Sequence, residues 1–376
     1  MLNRIFFLSF VITITFAGGF FTGKIFTEKR IPMTESEPFI VDEEQNVKAV
    51  EEKTEESEHK NTKALMAYIQ DFRDPEQINY DELTHIIFSF AHPTTDGDIL
   101  LSGETAMNNL RTIISKAHEA NTKVLLAVGG WSHLYGGESY DYFQAAISDP
   151  VSREKLADSL TDFAEQEHLD GVDIDFEHPR SLNDANNLED FTKELRERLH
   201  PKGMELSIAV HSKINAFTLT ESNYVIYQPS TFKYVDHVNI MAYDGQWDEG
   251  YHAENLSSYA FTEKVVTYWR TLFEQNNLST EKLILGVPFY AQPEDSSVKQ
   301  VSYAAIIEDN PENAYYDTVN YNGTTYYYNG SDTMKRKTKL ALEEDFGGIM
   351  VWEAGLDATG PNSLTSVIYK ELFKSS

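Results

Sequence analysis

The stretch that decides the fold covers residues 170–177 and reads Asp170-Gly171-Val172-Asp173-Ile174-Asp175-Phe176-Glu177. Successive side chains of a β-strand point to opposite faces, so the apolar residues at 172, 174 and 176 are expected to share one face. The three acidic residues then share the other face. Because buried carboxylates need pairing or protonation, such a strand fits a sheet that packs on helices with one face and lines a site with the other.

Crowded carboxylates raise one another's pKa, and a carboxyl group kept protonated in this way can act as a general acid near neutral pH. Glu177 is our candidate for that acid, because it ends the row just before Pro179. Two other interpretations stay open. A hard-cation site also gathers carboxylates, although such sites use glycine-containing turns and this row interleaves Val, Ile and Phe. A solvated edge strand is the other, and the apolar alternate face argues against it.

The chain from residue 64 onward alternates between short apolar, β-rich runs and longer amphipathic segments. The predicted strands are Ala64–Ile69, His85–Ala91, Val124–Gly129, Gly171–Glu177, Glu205–Val210, His237–Tyr243, Leu283–Tyr290 and Gly348–Glu353. The predicted helices include Ala106–Ala120, Arg153–His168, Leu188–Leu199, Thr262–Gln275 and Thr333–Glu344. Strands separated by helices are typical of parallel βαβ units, and eight of them predict an α/β fold of the (β/α)8 TIM-barrel type. A doubly wound open sheet is the alternative.

Barrel enzymes carry their chemistry at the carboxyl ends of the strands, and polar and aromatic residues gather there. Besides Glu177, the candidates are Gly129-Gly130-Trp131, Tyr243, Asp244, Tyr290, Trp352 and Glu353. Three of the four tryptophans, Trp131, Trp247 and Trp352, follow or end strands, where they suit flat platforms for a sugar ring. We expect the fourth, Trp269, to lie in the core.

Composition excludes several function classes. A formal net charge of −29 argues against nucleic acid as a partner, because binding it requires a basic face. The chain contains no cysteine, so disulfides, thiol nucleophiles and thiolate metal sites are impossible. We predict no metal and no cofactor, and we expect a monomer.

The first 62 residues differ from the rest of the chain. Residues 1–24 combine a basic start at Arg4 with a long apolar run, which indicates a signal peptide or an uncleaved signal anchor in the membrane. Residues 25–62 are rich in glutamate and poor in large apolar residues, which predicts a disordered acidic linker. The folded domain is predicted to cover residues 63–376, and the protein to be extracellular or attached to the cell surface.

The chain resembles glycoside hydrolase family 18, which contains chitinases and endo-β-N-acetylglucosaminidases. Residues 170–177 match the signature of the family's fourth strand, and four further motifs occur in the right order. These are Val128-Gly129-Gly130-Trp131, Met241-Ala242-Tyr243-Asp244, Gly286-Val287-Pro288-Phe289-Tyr290 and Gly348-Ile349-Met350-Val351-Trp352-Glu353. The resemblance covers residues 63 to 370.

The resemblance implies a role for each matching residue. Glu177 is similar to the acid/base that protonates the glycosidic oxygen, and Asp175 to the carboxylate that orients the 2-acetamido group of the substrate. Asp173 is similar to the buried partner that shares a proton with Asp175. Tyr243 would donate to the acetamido oxygen. Asp244, Trp352, Trp131, Tyr290, Trp247 and Gly130 would bind the sugar. The family implies substrate-assisted catalysis with retention.

The residues themselves also favour that mechanism. Two carboxylates on one face of one strand do not flank a scissile bond from opposite sides, as a conventional pair must. Asp244 or Glu353 is an alternative source of an opposing carboxylate. The expected substrate is a β-1,4-linked glycan containing N-acetylglucosamine, such as chitin oligosaccharides. Peptidoglycan, N-glycans and a non-hydrolytic chitinase-like lectin are the alternatives.

Three departures from the family pattern bear on the site. Ala127 stands where many members carry serine, and Phe176 and His178 replace the commoner aromatic residues around the acid. We expect His178 to be an ordinary loop residue, with tuning of the site or substrate contact as the alternative. A tyrosine-rich hairpin is predicted over residues 315–328, with its turn at Asn322-Gly323, in a segment too short for the larger insertion domain of some chitinases.

Overall fold

The computed structural model describes residues 63–373. The predicted signal segment 1–24, the predicted linker 25–62 and the last three residues of the predicted domain lie outside the described residues. Among the helices of residues 63–373, none combines the length and the apolar character needed to cross a bilayer.

Eight parallel strands form a closed barrel. They are β1 (Ala64–Gln70), β2 (His85–Pro93), β3 (Lys123–Gly129), β4 (Gly171–Asp175), β5 (Glu205–His211), β6 (His237–Met241), β7 (Leu283–Pro288) and β8 (Gly348–Trp352). Each strand pairs in parallel with its neighbours, and pairing of β1 with both β8 and β2 closes the sheet. The predicted (β/α)8 barrel is confirmed, and the open-sheet alternative is wrong because a closed sheet buries both strand edges.

The described chain contains eight α-helices: α1 (Glu104–Glu119), α2 (Ser139–Ser148), α3 (Pro150–Gln166), α4 (Leu182–Leu199), α5 (Tyr259–Gln275), α6 (Tyr303–Asp309), α7 (Ser331–Glu343) and α8 (Leu364–Leu372). The five predicted helices are confirmed, and all five begin earlier than predicted. α3 begins after Asp149 and α4 after Ser181, because these side chains accept hydrogen bonds from the first free backbone N–H groups.

A small antiparallel sheet lies between β7 and α7. Its strands are Tyr290–Pro293, Val301–Ser302, Thr318–Tyr321 and Thr324–Tyr327, and a further short strand, Ile99–Leu100, pairs with the end of β2. The last two strands of the small sheet form the predicted hairpin. Asn322 and Gly323 at its turn have φ angles of 51° and 87°, which a two-residue hairpin turn of type I′ requires.

The alternation of side chains divides the core into two layers. The outer layer lies between strands and helices and contains Val172, Ile174 and Phe176, as predicted, together with Trp269. The inner layer fills the barrel and contains Met66, Tyr68, Ile87, Leu125, Ala127 and Met350. Asp173 and Asp175 belong to the alternate face of β4 and therefore point into the barrel.

Four predicted strands are shorter than expected at their carboxyl ends. β4 ends at Asp175 instead of Glu177, β6 at Met241 instead of Tyr243, β7 at Pro288 instead of Tyr290, and β8 at Trp352 instead of Glu353. The candidate site residues therefore lie on or just beyond the strand ends.

Candidate active site

A cavity of about 870 Å³ opens at the carboxyl end of the barrel. Seven of the predicted site residues line it: Asp175, Glu177, Tyr243, Asp244, Trp131, Trp247 and Trp352. The loops after β3, β4 and β6 and the end of β8 supply these side chains. The barrel thus brings together residues that lie far apart in the sequence. Asp173, Tyr290 and Gly130 are placed behind the cavity wall.

Asp173 lies at the bottom of the site and is completely buried. Its Oδ2 accepts a hydrogen bond of 2.6 Å from the hydroxyl of Tyr68, while its Oδ1 accepts bonds from Ser207 Oγ at 2.5 Å and Asn239 Nδ2 at 3.1 Å. Burial raises the pKa of Asp173, and these three donors oppose that rise. The donors therefore stabilise a carboxylate in a place where burial disfavours charge.

Asp175 lies one layer higher, at the end of β4, and faces the cavity. Its Oδ1 is buried and has no hydrogen-bond partner among the described residues. Burial, and then the charges of Glu177 and Asp173, raise the pKa of Asp175 well above its ordinary value. A carboxyl group without donors, next to one that has three, is the group of the pair that retains a proton.

Glu177 follows β4 in the loop that rims the cavity, and its side chain is 16% exposed. Burial, followed by the charge of Asp244, raises the pKa of Glu177 to about 8. At neutral pH this side chain therefore carries a proton. A protonated carboxyl group that faces a cavity is the chemical requirement for a general acid.

Asp244 and Tyr290 form a hydrogen-bonded pair in the segments that follow β6 and β7. Asp244 has a φ angle of 62°, which lets its carboxylate turn back to accept hydrogen bonds from the hydroxyl of Tyr290 and from Gln246 Nε2 at 3.1 Å. Tyr290 is 2% exposed and stands behind Asp244, so its structural role is to position that carboxylate. Tyr290 does not line the cavity, and its predicted contact with a sugar stays a prediction.

Tyr243 presents its ring to the cavity beside Asp244. Its hydroxyl has one hydrogen-bond contact in the described structure, with Met350 Sδ at 3.8 Å. Burial, and then the charge of Asp244, raise the pKa of Tyr243 well above its ordinary value, so the phenol remains protonated. A buried phenol with such a weak partner is free to donate to a ligand.

Glu353 is not available as an opposing carboxylate. It is completely buried, and its Oε1 accepts a hydrogen bond of 2.6 Å from Arg73 Nε. Its Oε2 accepts a bond from the backbone N–H of Gly355 at 3.1 Å. Because the Arg73 guanidinium and the Gly355 amide bind its two oxygens at the end of β8, we exclude Glu353 from the catalytic chemistry.

Aromatic rings form the remaining walls. Trp352 packs against Tyr68 with a centroid distance of 5.4 Å and stacks on Phe90 at 6.0 Å. Gly130 supports this wall from behind, since a Cβ at Gly130 would lie 2.8 Å from the Phe90 ring. Trp131 and Trp247 are 53% and 61% exposed, as expected for platforms that a ligand would cover.

Two lining residues, His92 and His211, were missed in the sequence. His178 also lines the cavity, which favours the alternative of tuning or substrate contact over the expected ordinary loop residue. Nε2 of His178 lies 3.7 Å from Glu177 Oε2, and its ring meets that of His211 edge-on at 5.0 Å. Burial lowers the pKa of His178 to about 4, so the ring is neutral. The sequence did contain a signal for the position of His178, because this residue directly follows Glu177 and departs from the family pattern.

The cavity does not gather ligands for a metal. Within residues 63–373, the one group of three His, Asp or Glu side chains with suitable ligand spacing is His85, Glu205 and His237, which lies at the starts of strands. The acidic row is arranged for proton transfer instead, because Asp173 behind the wall has three donors and Asp175, which lines the cavity, has none.

Three comparisons with known proteins agree with this geometry. The sequence profile of the family described as "Glycosyl hydrolases family 18" matches residues 52–357. Probable chitinase 10 of Drosophila melanogaster is 24% identical over 338 residues, which cover 75% of this chain and 14% of that much longer protein. Endochitinase 1 of Metarhizium robertsii is 24% identical over 343 residues, covering 77% of this chain and 79% of the relative.

Among solved structures, a chitinase from Bacteroides thetaiotaomicron superposes with a TM-score of 0.69 at 27% identity. The superposition covers 84% of this chain and 97% of that structure. The similarity therefore includes the whole barrel and is not confined to the strand that carries the acidic row.

Proposed function

This chain belongs to glycosyl hydrolases family 18 and is a glycosidase, and from that premise we propose that it hydrolyses chitin-type glycans of β-1,4-linked N-acetylglucosamine with retention. The observation that carries the proposal is the stack of three acidic side chains. Asp173 has three donors, Asp175 has a free oxygen, and Glu177 is kept protonated at the cavity surface. The substrate is supported by the names of its relatives, which are chitinases.

In the proposed reaction the proton of Glu177 passes to the glycosidic oxygen, and the bond from that oxygen to the anomeric carbon breaks. The acetamido oxygen of the same sugar attacks the anomeric carbon and closes a cyclic oxazolinium ion. Asp175 accepts the hydrogen bond of the acetamido N–H, and Tyr243 donates to the acetamido oxygen. A water molecule then gives a proton to Glu177 and attacks the anomeric carbon, the bond from that carbon to the acetamido oxygen breaks, the acetamido group is restored, and the product keeps the β-configuration.

The internal nucleophile is supported by where the carboxylates lie. Asp175 and Glu177 come from the end of one strand, and Glu353 is bound to Arg73. Asp244 also lines the cavity, but its Oδ1 already accepts hydrogen bonds from Tyr290 and Gln246. Neither of the two alternative carboxylates is therefore well suited to a direct attack on the anomeric carbon.

We further propose that the protein is exported. The support is the basic start and apolar run of residues 1–24, which have the character of a signal peptide or signal anchor. A polymeric glycan is also accessible only where it accumulates, outside the cytoplasm. Immunoblotting of culture supernatant, washed cells and a membrane fraction would distinguish secretion from surface attachment, and retention in the soluble cell interior would contradict the proposal.

Digestion of chitotetraose and chitopentaose by the wild type and Glu177→Gln, with detection of product anomers, tests the function. We expect β-anomeric products from the wild type and a fall in kcat of about 10²-fold to 10⁴-fold for the variant, because the general acid is removed. Glu263→Gln, on the exposed side of α5, is the matched control and should retain activity. α-Anomeric products, or equal activity of both proteins, would contradict the mechanism. Binding without cleavage by the wild type would indicate a lectin.

A further inference from the structure

The end of the barrel opposite the cavity contains a second cluster of polar side chains. His85 is the first residue of β2, Glu205 of β5 and His237 of β6. Two positions further along the same strands, Ile87, Ser207 and Asn239 face the interior of the barrel. Side chains two positions apart on a strand share a face, so His85, Glu205 and His237 also point into the barrel. β2 and β5 are separated in the sheet by β3 and β4, and the cluster therefore spans the barrel floor.

The three side chains converge on one point. Glu205 Oε2 lies 3.0 Å from His85 Nε2 and 3.7 Å from His237 Nε2, and all three ligand atoms lie within 4.8 Å of one another. The longer of these distances exceeds that of a normal hydrogen bond. A zinc ion about 2.1 Å from each atom would subtend angles of about 90° and about 125° for these two pairs, on either side of the tetrahedral value.

The surroundings of His85 and Glu205 resemble those of metal ligands, whereas Nδ1 of His237 is buried without a hydrogen-bond partner in the described structure. Thr84 Oγ1 lies 2.8 Å from His85 Nδ1, and it can accept the Nδ1 proton because its own proton can bond to the carbonyl oxygen of Leu65 at 3.1 Å. That tautomer leaves the lone pair of Nε2 directed at the centre of the cluster, as a metal ligand requires. Lys123 donates to the other oxygen, Oε1, of Glu205, so Oε2 is the oxygen that faces His85 Nε2.

We propose that His85, His237 and Glu205 bind one zinc ion at the barrel floor, with water in the fourth position. Two imidazoles and one carboxylate are a ligand set that zinc prefers. The side chains of His237 and Glu205 are 19% and 22% exposed, so water can reach the open position. The site lies at the amino ends of the strands, where barrels hold stabilising groups, and its role is to tie β2, β5 and β6 together.

Zinc binding by the full chain, stripped with a chelator, is the first test. We expect one zinc per chain by calorimetry and by elemental analysis after dialysis. At a free zinc concentration about 100 times Kd, we expect Tm to rise by about 5 °C. Cobalt substitution should give the intense visible absorption of a four-coordinate ion. Absence of stoichiometric binding by the wild type would overturn the proposal without involving any variant.

Variants locate the ion. His237→Ala and Glu205→Gln should both abolish stoichiometric binding, whereas His118→Ala should not, although His118 Nε2 also lies 2.8 Å from a carboxylate oxygen, that of Asp170. Lys123→Met removes an ammonium group next to the site and should tighten binding about tenfold or more. His85→Gln replaces His237→Ala if the latter does not fold. Zinc binding that survives loss of these ligands would place the ion elsewhere and overturn the proposal.

Discussion

The residue whose environment is richest in hydrogen bonds is Asp173, at the bottom of the acidic row. Tyr68, Ser207 and Asn239 each donate to it, from three different strands. These three donors favour the anion of Asp173 against the effect of burial, and its charge adds to burial and to the charge of Glu177 in raising the pKa of Asp175. The protonation state of the reacting layer thus depends on hydrogen bonds in the layer below.

Tyr68→Phe tests this dependence. The variant removes one donor from a buried carboxylate, so we expect a loss of about 1–3 kcal/mol in the free energy of unfolding and a shift in the pH dependence of kcat. Tyr303→Phe is the control, since the Tyr303 hydroxyl is buried without a partner in the described structure and its removal should cost little. Urea denaturation and pH–rate profiles measure both, and equal effects of the two substitutions would contradict the assignment.

Glu177 predicts a dependence of stability on pH. Its pKa rises from 4.5 to about 8 on folding, so between these values the native state binds more protons than the unfolded state. Stability conferred by this group is therefore present below the lower value and is lost as pH rises, by about 1.4 kcal/mol for each pH unit at most.

Glu177→Gln removes this loss because glutamine does not ionise. We expect the variant to gain stability over the wild type as pH rises from about 5 to about 8, as measured by urea denaturation at several pH values. Glu263→Gln, at an exposed position on α5, is the control for removing one carboxylate. Parallel curves for Glu177→Gln and the wild type would show that the acid is not held protonated by the fold.

At the scale of elements, the β3–α2 connection controls where β4 ends. Gly129 and Gly130 have φ angles of 116° and 78°, and the N–H of Gly130 donates to the carbonyl oxygen of Asp175 at 2.9 Å. A Cβ at Gly129 would lie 2.1 Å from that same oxygen. The two glycines therefore let β3 approach the backbone that carries Asp175.

Gly129→Ala should destabilise the protein by about 3 kcal/mol or more and reduce kcat, because the backbone of Asp175 must move. Gly137→Ala is the matched control. It also has a positive φ, 81°, but a Cβ there meets nothing within 4 Å, so the left-handed backbone is the only cost, about 1–2 kcal/mol. Equal losses of stability for the two variants would show that the close approach is unimportant.

For the whole molecule, the barrel separates groups that stabilise the fold from groups that bind ligand. The inner and outer core layers hold the barrel together, while the loops at its carboxyl end present exposed aromatic rings. Trp269 is an example of the groups that stabilise the fold, and Trp131 is an example of the exposed rings at the carboxyl end. Trp269 is completely buried and its Nε1–H donates to the carbonyl oxygen of Ser212 at 3.1 Å, whereas Trp131 is 53% exposed at the cavity rim.

Trp131→Ala should raise KM for chito-oligosaccharides about tenfold, because a sugar ring loses its aromatic platform, and should change the free energy of unfolding by less than about 0.5 kcal/mol. Trp269→Ala should cost about 3–5 kcal/mol of stability and leave KM of the folded fraction unchanged. Steady-state kinetics with oligomers of increasing length and urea denaturation separate these effects. An unchanged KM for Trp131→Ala at every length would remove Trp131 from the binding site.

The sequence by itself determined the features that depend on local pattern. Strict alternation in residues 170–177 predicted which face of β4 is apolar, and eight strand runs separated by helices predicted the barrel. Parallel strands bring their carboxyl ends to one side, so the sequence also predicted that Glu177, Tyr243 and Trp352 would meet. The acidic row could be recognised because its period is that of a strand.

Only the tertiary structure decided which side chains lie next to these residues. Tyr68, Asn239 and Ser207 reach Asp173 from 105, 66 and 34 positions away in the sequence, and no local pattern relates residues at such separations. Barrel closure and register place them together. Closure of the barrel also brings Arg73 to Glu353, places Tyr290 behind Asp244 and turns His178 into the cavity. The local sequence does not predict these three placements, because each depends on the shape of loops that follow different strands.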